Sequence, residues 1–304
     1  MSILNQPGNI PFLLSKIYHV SDHSALVKKP SGGLPLMALS ALSFSVMALL
    51  VKLGDKTMPE QELIVFRSLF IICVTLPIMW RKKVPVFGNR RGLLLLRGVL
   101  GYVAMSCYFW TLGALPVADA MVIQYASPIF TIVMAAIFLK ERASAKLWIA
   151  VVLCMSGVFA IAKPEGTGDP LVAVIGLVGA ILAGGAYATV RELRKSDSAY
   201  TIVFYFPLVS LPFSVLLALP EWRWPTDWQG WGIIGGVCLA SYLGQIFLTK
   251  ALERETAGRA VIVNYISVAF GVLFGLVFFE TIPDFRSVVG IAMILLAIGM
   301  LTRR

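Results

Sequence analysis

Gln124, Ser127 and Thr131 recur at three- and four-residue spacing within the run Ala118–Arg142, so on a helix they share one face. Tyr125 lies beside that face. Pro128 interrupts it, removing one backbone donor and leaving the carbonyl of Gln124, four residues back, without its helical partner. A primary amide, two hydroxyls and a freed carbonyl donate and accept hydrogen bonds, which suits the ammonium and carboxylate groups of a small polar molecule. The run itself holds about twenty apolar residues, enough for one helix across a bilayer. Polar groups at that depth are costly against lipid, so they are expected to face protein or a water-filled cavity.

A weaker copy of this run lies 140 residues further on, from Arg259 to Glu280. Gln124 then matches Asn264, Tyr125 matches Tyr265, Ser127 matches Ser267 and Phe130 matches Phe270; upstream, Tyr102 matches Tyr242 and Leu112 matches Leu252. Amide stands for amide and small residue for small residue, which marks an internal duplication. Val268 replaces the proline, and the stretch from Tyr265 to Glu280 is one residue shorter than that from Tyr125 to Glu141. The second run is therefore expected to be the straighter.

Tyr102, Ser106 and Phe109 share a face of one apolar run, and Ser241, Gln245 and Thr249 share a face of another, beside Tyr242. Each alone fits ordinary helix packing, where small and weakly polar residues are common. Taken with Gln124, Tyr125, Ser127, Thr131, Asn264, Tyr265 and Ser267, the set reads as a substrate cavity. Arg67 lies about seven residues inside its run, about 10 Å of helix rise. An intramembrane arginine marks function by default, here a gate or substrate partner; the alternative is that it snorkels outward to Glu60 or Glu62. Arg97 reads as an interfacial anchor. Pro128, Pro77, Pro207 and Pro212 are kink positions, the last three either hinges or static bends.

No carboxylate lies in the middle of an apolar run, so a proton relay through a buried Asp or Glu has no candidate. HExxH, paired intramembrane aspartates and a phosphate loop are absent, which leaves out the usual membrane-protease and ATP-driven pump signatures. No catalytic residue, metal or cofactor is assigned, and the chain does not read as an enzyme. His19 and His23 lie four apart beside Asp22 without further metal ligands. Cys73, Cys107, Cys154 and Cys238 fall inside apolar runs with no CxxC spacing, as reduced thiols do.

A chain that is 58% hydrophobic and 14% charged is far more apolar than a soluble domain. Ten spans follow from length and apolarity, near 34–53, 60–80, 92–112, 117–139, 145–162, 171–190, 199–219, 229–250, 258–279 and 285–302. Nineteen Lys and Arg fall on one side of these spans and five on the other, which places both termini in the cytoplasm. Residues 1–33 are expected to form an uncleaved cytoplasmic lead, with a short amphipathic helix around Phe12–Val20. Residues 34–163 then form one five-span repeat and 164–304 a second. An odd number of spans forces the second copy to enter the membrane upside down, and such inverted repeats hold their substrate near mid-membrane. The fold class is an all-α integral membrane protein of ten transmembrane helices in two inverted five-helix repeats.

Leu115-Pro-Val-Ala-Asp-Ala120, Gln124-Tyr-Ala-Ser-Pro128 and Ile137-Phe-Leu-Lys-Glu-Arg142 resemble the first EamA domain of the drug/metabolite transporter superfamily, with Arg97-Gly98 opening the third span. Tyr265-Ile-Ser267 and Phe278-Phe-Glu280-Thr281 resemble the second. The resemblance implies a secondary transporter in the cytoplasmic (inner) membrane whose cavity is formed by spans three, four, eight and nine. Its partners would be a small-molecule substrate and the lipid bilayer, not nucleic acid, with a monomer expected and a dimer as the alternative. Export of amino acids, aromatic ones included, by alternating access in the manner of YddG-type exporters is the first functional expectation. Uptake or exchange of a larger metabolite such as riboflavin, S-adenosylmethionine or a nucleotide or organic-anion derivative is the second, and its cationic ligands could come only from Arg67, Arg97 and Lys250.

Overall fold

A computed structural model describes residues 32–53, 60–225 and 227–302. Residues 1–31 of the N-terminal lead, with its histidine pair and its amphipathic stretch, lie outside the described residues, as do the last two arginines. Among the described residues, ten helical segments are long and apolar enough to cross a membrane. They are built from α1 (Gly33–Leu53), α2 (Glu60–Arg81), α3 (Arg91–Ala114), α4 (Val117–Gln124), α5 (Ser127–Phe138), α6 (Ala145–Ala162), α7 (Pro170–Leu193), α8 (Ala199–Ala218), α9 (Trp228–Arg254), α10 (Ala257–Val263), α11 (Ile266–Phe279) and α12 (Phe285–Thr302). Span four is the pair α4 and α5, and span nine the pair α10 and α11; the remaining helices are one span each.

Short polar caps set where these helices begin. Ser144 accepts a hydrogen bond from the Leu147 amide at 3.2 Å, Asp169 from Leu171 at 2.8 Å, Ser198 from Tyr200 at 3.3 Å and Asp227 from Gly230 at 2.9 Å, each satisfying an otherwise orphaned first-turn donor. Asp284 caps span ten through the Ser287 amide at 3.1 Å. Hydrogen bonds from Lys163 and then Ser287 hold its carboxyl well below the usual carboxylate range.

The offset of 140 persists in these details. Ser144 and Asp284 cap spans five and ten at equivalent positions. Lys140 and Glu280 end spans four and nine in the left-handed conformation, with φ of 55° and 53°. The next amides, of Glu141 and Thr281, reach back to the carbonyls of Ala135 and Gly275 at 3.2 and 3.1 Å, closing the C-terminal turn. The one-residue shortening expected in the second copy is therefore absent. Glu280 occupies the place of Lys140, and the partner of Glu141 is Thr281.

Packing repeats the symmetry. Span one lies along span eight as span six lies along span three; span four meets span six as span nine meets span one; span three meets span seven as span eight meets span two. Spans two and seven, four and nine, and five and ten pair across the axis with their own counterparts. This is the contact pattern of two five-helix repeats exchanged by a two-fold. Spans five and ten cross at Gly157 and Gly290, where a Cβ on either would stand 2.6 Å from the other's carbonyl oxygen. Helix alternation gathers the lysine- and arginine-rich ends of the spans on one face, called here the basic face.

Candidate functional site

Both copies of the central run are broken, and the breaks meet. Span four is interrupted at Tyr125–Ala126 and span nine at Asn264–Tyr265. At each, backbone bonds shorten to three-residue steps, as in Ala126 to Ile123 at 3.1 Å and Tyr265 to Ile262 at 3.1 Å. The expectation of a straighter second span is overturned: span nine breaks where Val268 replaces the proline, while in span four Pro128 sits in the first turn after the break. Span nine breaks without a proline because side chains take up the released backbone groups: Ser267 Oγ donates to the Asn264 carbonyl at 2.7 Å. Span four is served from the other repeat. Ile129 turns to the Ala126 carbonyl, and the Tyr125 carbonyl accepts instead from the Tyr265 hydroxyl at 2.7 Å. The Tyr125 hydroxyl pairs with Ser267 Oγ at 2.8 Å, and the two tyrosine rings stack with centroids 5.7 Å apart.

A second feature lies on spans two, three and seven. Arg67 enters from the face opposite the basic one, seven residues into α2, and Arg97 from the basic face, six residues into α3. Both are buried, at 8% and 5% exposure. Their guanidinium carbons stand 5.3 and 5.2 Å from the centroid of the same ring, Phe206. Arg67 Nη2 donates to Met105 Sδ at 3.1 Å, and Arg97 Nη2 lies 3.5 Å from Gln245 Oε1. Among the described residues neither arginine has a carboxylate partner. Arg67 Nε and Arg97 Nε and Nη1 are buried without a hydrogen-bond partner among the described residues. The snorkelling alternative for Arg67 fails, because Glu62 turns its carboxylate to the Arg223 amide at 3.1 Å while the guanidinium points inward. Arg97 is not an interfacial anchor either. Gly98 and Gly101 bring span seven so close that a Cβ at Gly101 would meet both Phe206 and Arg97, and this contact turns the side chain into the protein.

The remaining residues sort into three groups. Tyr102, Ser106, Ser241 and Asn264 each carry a buried polar atom without a partner among the described residues, so they share the arginines' unmet hydrogen-bonding capacity; Tyr102 also stacks on Phe213 at 5.6 Å. Gln124, Tyr125, Phe109, Tyr242 and Gln245 are half-buried. Ser127 and Thr131 are buried, with the Thr131 hydroxyl bonded to the Ser127 carbonyl at 2.9 Å, and Thr249 likewise bonds Gln245 within its own helix at 2.8 Å. Tyr265 is fully buried in the seam between repeats. Pro207 and Pro212 do not interrupt span seven, which runs as one helix from Ala199 to Ala218, nor does Pro77 interrupt α2. Phe206 and Met105, which hold the arginines, were not singled out from the sequence; the glycines at 98 and 101 beside a buried-depth arginine were the available signal.

The model of the EamA-like transporter family matches the chain twice, over residues 31–163 and 170–303. The chain belongs to the EamA-like transporter family. This EamA chain is 33% identical over 274 residues to the pseudopaline exporter CntI of Pseudomonas aeruginosa, covering 89% of the chain and 96% of the exporter. It is 31% identical over 289 residues to human solute carrier family 35 member G1, covering 89% and 79%, and 27% identical over 214 residues to a riboflavin transporter of Vibrio cholerae, covering 70% and 72%. A crystal structure with 15% sequence identity superposes with a TM-score of 0.77 over 89% of this chain and 96% of its own, which shows the fold. The EamA chain is thus a multi-pass membrane protein whose relatives transport metabolites.

Proposed function

We propose that this EamA-family chain is a secondary transporter that exports small organic anions, carrying at least two carboxylates or their equivalent, across the cytoplasmic membrane. The basic face is then cytoplasmic and alternating access moves the substrate between the two faces. One observation carries the reading: Arg67 and Arg97 converge on Phe206 with no carboxylate partner among the described residues. A buried guanidinium without a counter-charge is strongly disfavoured unless something completes it. A carboxylate is the natural complement, since it can accept two parallel N–H bonds from one arginine. Gln245, Ser106, Tyr102, Ser241 and Asn264 supply neutral donors and acceptors for the rest of the molecule, including an ammonium group.

Within this reading an amino acid with a second carboxylate fits better than an aromatic zwitterion, whose single negative group would leave one guanidinium unmet. Binding and proteoliposome counterflow of glutarate, L-glutamate, L-glutamine, L-phenylalanine, L-lysine and riboflavin test the charge rule directly. Glutarate and L-glutamate are expected to raise the melting temperature of the purified protein and to exchange, with L-glutamine and L-phenylalanine weaker and L-lysine inert. Equal stabilisation by L-lysine or by neutral riboflavin would overturn the anion reading.

A further inference from the structure

We infer that Lys82, Lys250 and Tyr200 form a second anion site, at the basic-face mouth of the route to the arginine pair; the inference rests on the anionic-substrate reading above. Lys82 follows the end of α2, Tyr200 opens α8 and Lys250 lies near the end of α9, three helices that pack against one another. Lys82 Nζ donates to the Tyr200 hydroxyl at 3.0 Å and stands 4.7 Å from the ring centroid, while Lys250 Nζ stands 5.8 Å from the same centroid. Neither lysine has a carboxylate partner among the described residues. Two solvated lysines repel and would turn outward into water. These two converge on one phenol ring, with Lys82 exposed and Tyr200 and Lys250 half-buried.

What lies beneath ties this mouth to the arginines. Ile71, Val203 and Ile246 form a small buried cluster, at 1%, 3% and 5% exposure, with Tyr200 and Tyr242 packed against it. Ile71 is four residues on from Arg67, Val203 is midway between Tyr200 and Phe206, and Ile246 is beside Gln245 and four residues before Lys250. The three- and four-residue spacings among these fall on one helical face. The apolar cluster therefore lies between two cationic layers, about one turn or 5 Å along the helices from Arg67 and from Lys250. Lys82, Lys250 and Tyr200 would take the carboxylate of an arriving substrate while this apolar layer is closed, and hand it to Arg97 and Arg67 when it parts.

An anionic aldehyde reads the site without knowledge of the natural substrate. Purified protein is treated with pyridoxal 5′-phosphate or with neutral pyridoxal, the imine formed on each lysine is reduced with borohydride, and labelled peptides are mapped. At Lys82 and Lys250 the phosphate reagent is expected to outperform pyridoxal about tenfold, the effect of one ordinary charge contact, and well beyond the ratio at the exposed residues Lys83 and Lys140. Lys82→Gln should lower the preference at Lys250, and Lys250→Gln that at Lys82. A ratio at Lys82 and Lys250 no greater than at Lys83 and Lys140 overturns the mouth site. The two readings separate cleanly. Arg67→Gln and Arg97→Gln should abolish stabilisation by glutarate yet leave the labelling ratios intact. Ratios that hold in the unmutated protein while that same protein binds no dianion overturn the transport reading and, with it, the role given to the mouth.

Discussion

Replacing Arg97 by methionine should move affinity and stability in opposite directions. The side chain is 5% exposed, its Nε and Nη1 have no partner among the described residues, and its hydrogen bond to Gln245 is long at 3.5 Å. It therefore contributes little to holding the empty protein together and carries an uncompensated charge. Exchange of buried charged groups for apolar ones of similar volume stabilises proteins by roughly 1–4 kcal/mol, so the ligand-free melting temperature should rise. A charged hydrogen bond to substrate is worth about 1.5–3 kcal/mol, so affinity for glutarate or L-glutamate should fall about 10- to 150-fold. Thermal unfolding in detergent gives the first quantity and titration calorimetry the second. Arg97→Lys keeps the charge but loses the planar fork, and should bind between the two. A methionine variant that melts lower and binds unchanged would falsify the assignment, leaving Arg97 as a packing residue.

Pro128→Ala should leave span four broken and transport close to normal, because span nine makes the same break with Val268; a large loss of counterflow would return the kink to the proline. Gln124→Leu and Asn264→Leu should each cost about 1–3 kcal/mol of binding through an unpaired substrate group, read as a change in Kd at normal expression, whereas altered stability at constant Kd points to packing alone. Cysteine tags at Ser2 and Arg304, after removal of the native cysteines, should resist impermeant thiol reagents in intact cells; labelling of either from outside reverses the proposed orientation.

Much of the architecture was legible because the membrane makes it so. Backbone groups cannot be left open in lipid, so runs such as Ala145–Ala162 and Phe285–Thr302 declare themselves as helices by length alone. The repeat was legible from a handful of positions, Tyr125 with Tyr265 and Ser127 with Ser267, and Tyr125 proved to touch both Tyr265 and Ser267 across the axis. The break in span nine was not, because proline is its visible signature and a serine hydroxyl that bonds the Asn264 carbonyl leaves no comparable mark. Nor was the course of the two arginines. A position inside a helix gives depth, but long side chains reach up or down by several ångströms, and only the packing of span seven, with Val209 against Gly98 and Phe206 against Gly101, decides which way they turn. Thr131 shows the opposite error. Its spacing from Gln124 suggested a shared lining, yet the intervening break changes the register and its hydroxyl stays within its own helix.

The hydrogen bonds at the repeat axis are not symmetric, although the residues are. Tyr265 gives its hydroxyl to the Tyr125 carbonyl, while Tyr125 gives its own to Ser267. The mirror assignment, Tyr125 to the Tyr265 carbonyl and Tyr265 to Ser127, has all its atoms present in the sequence. A molecule whose halves trade places during transport would trade these partners too, so the tyrosine pair records, like the position of a toggle, which face is open. Ser267→Ala removes the Tyr125–Ser267 bond from the arrangement seen here, and Ser127→Ala removes its counterpart from the exchanged one. Thiol accessibility from the two faces should then shift in opposite senses in the two variants; a shift in the same sense would mean that the pair is only mortar between the repeats.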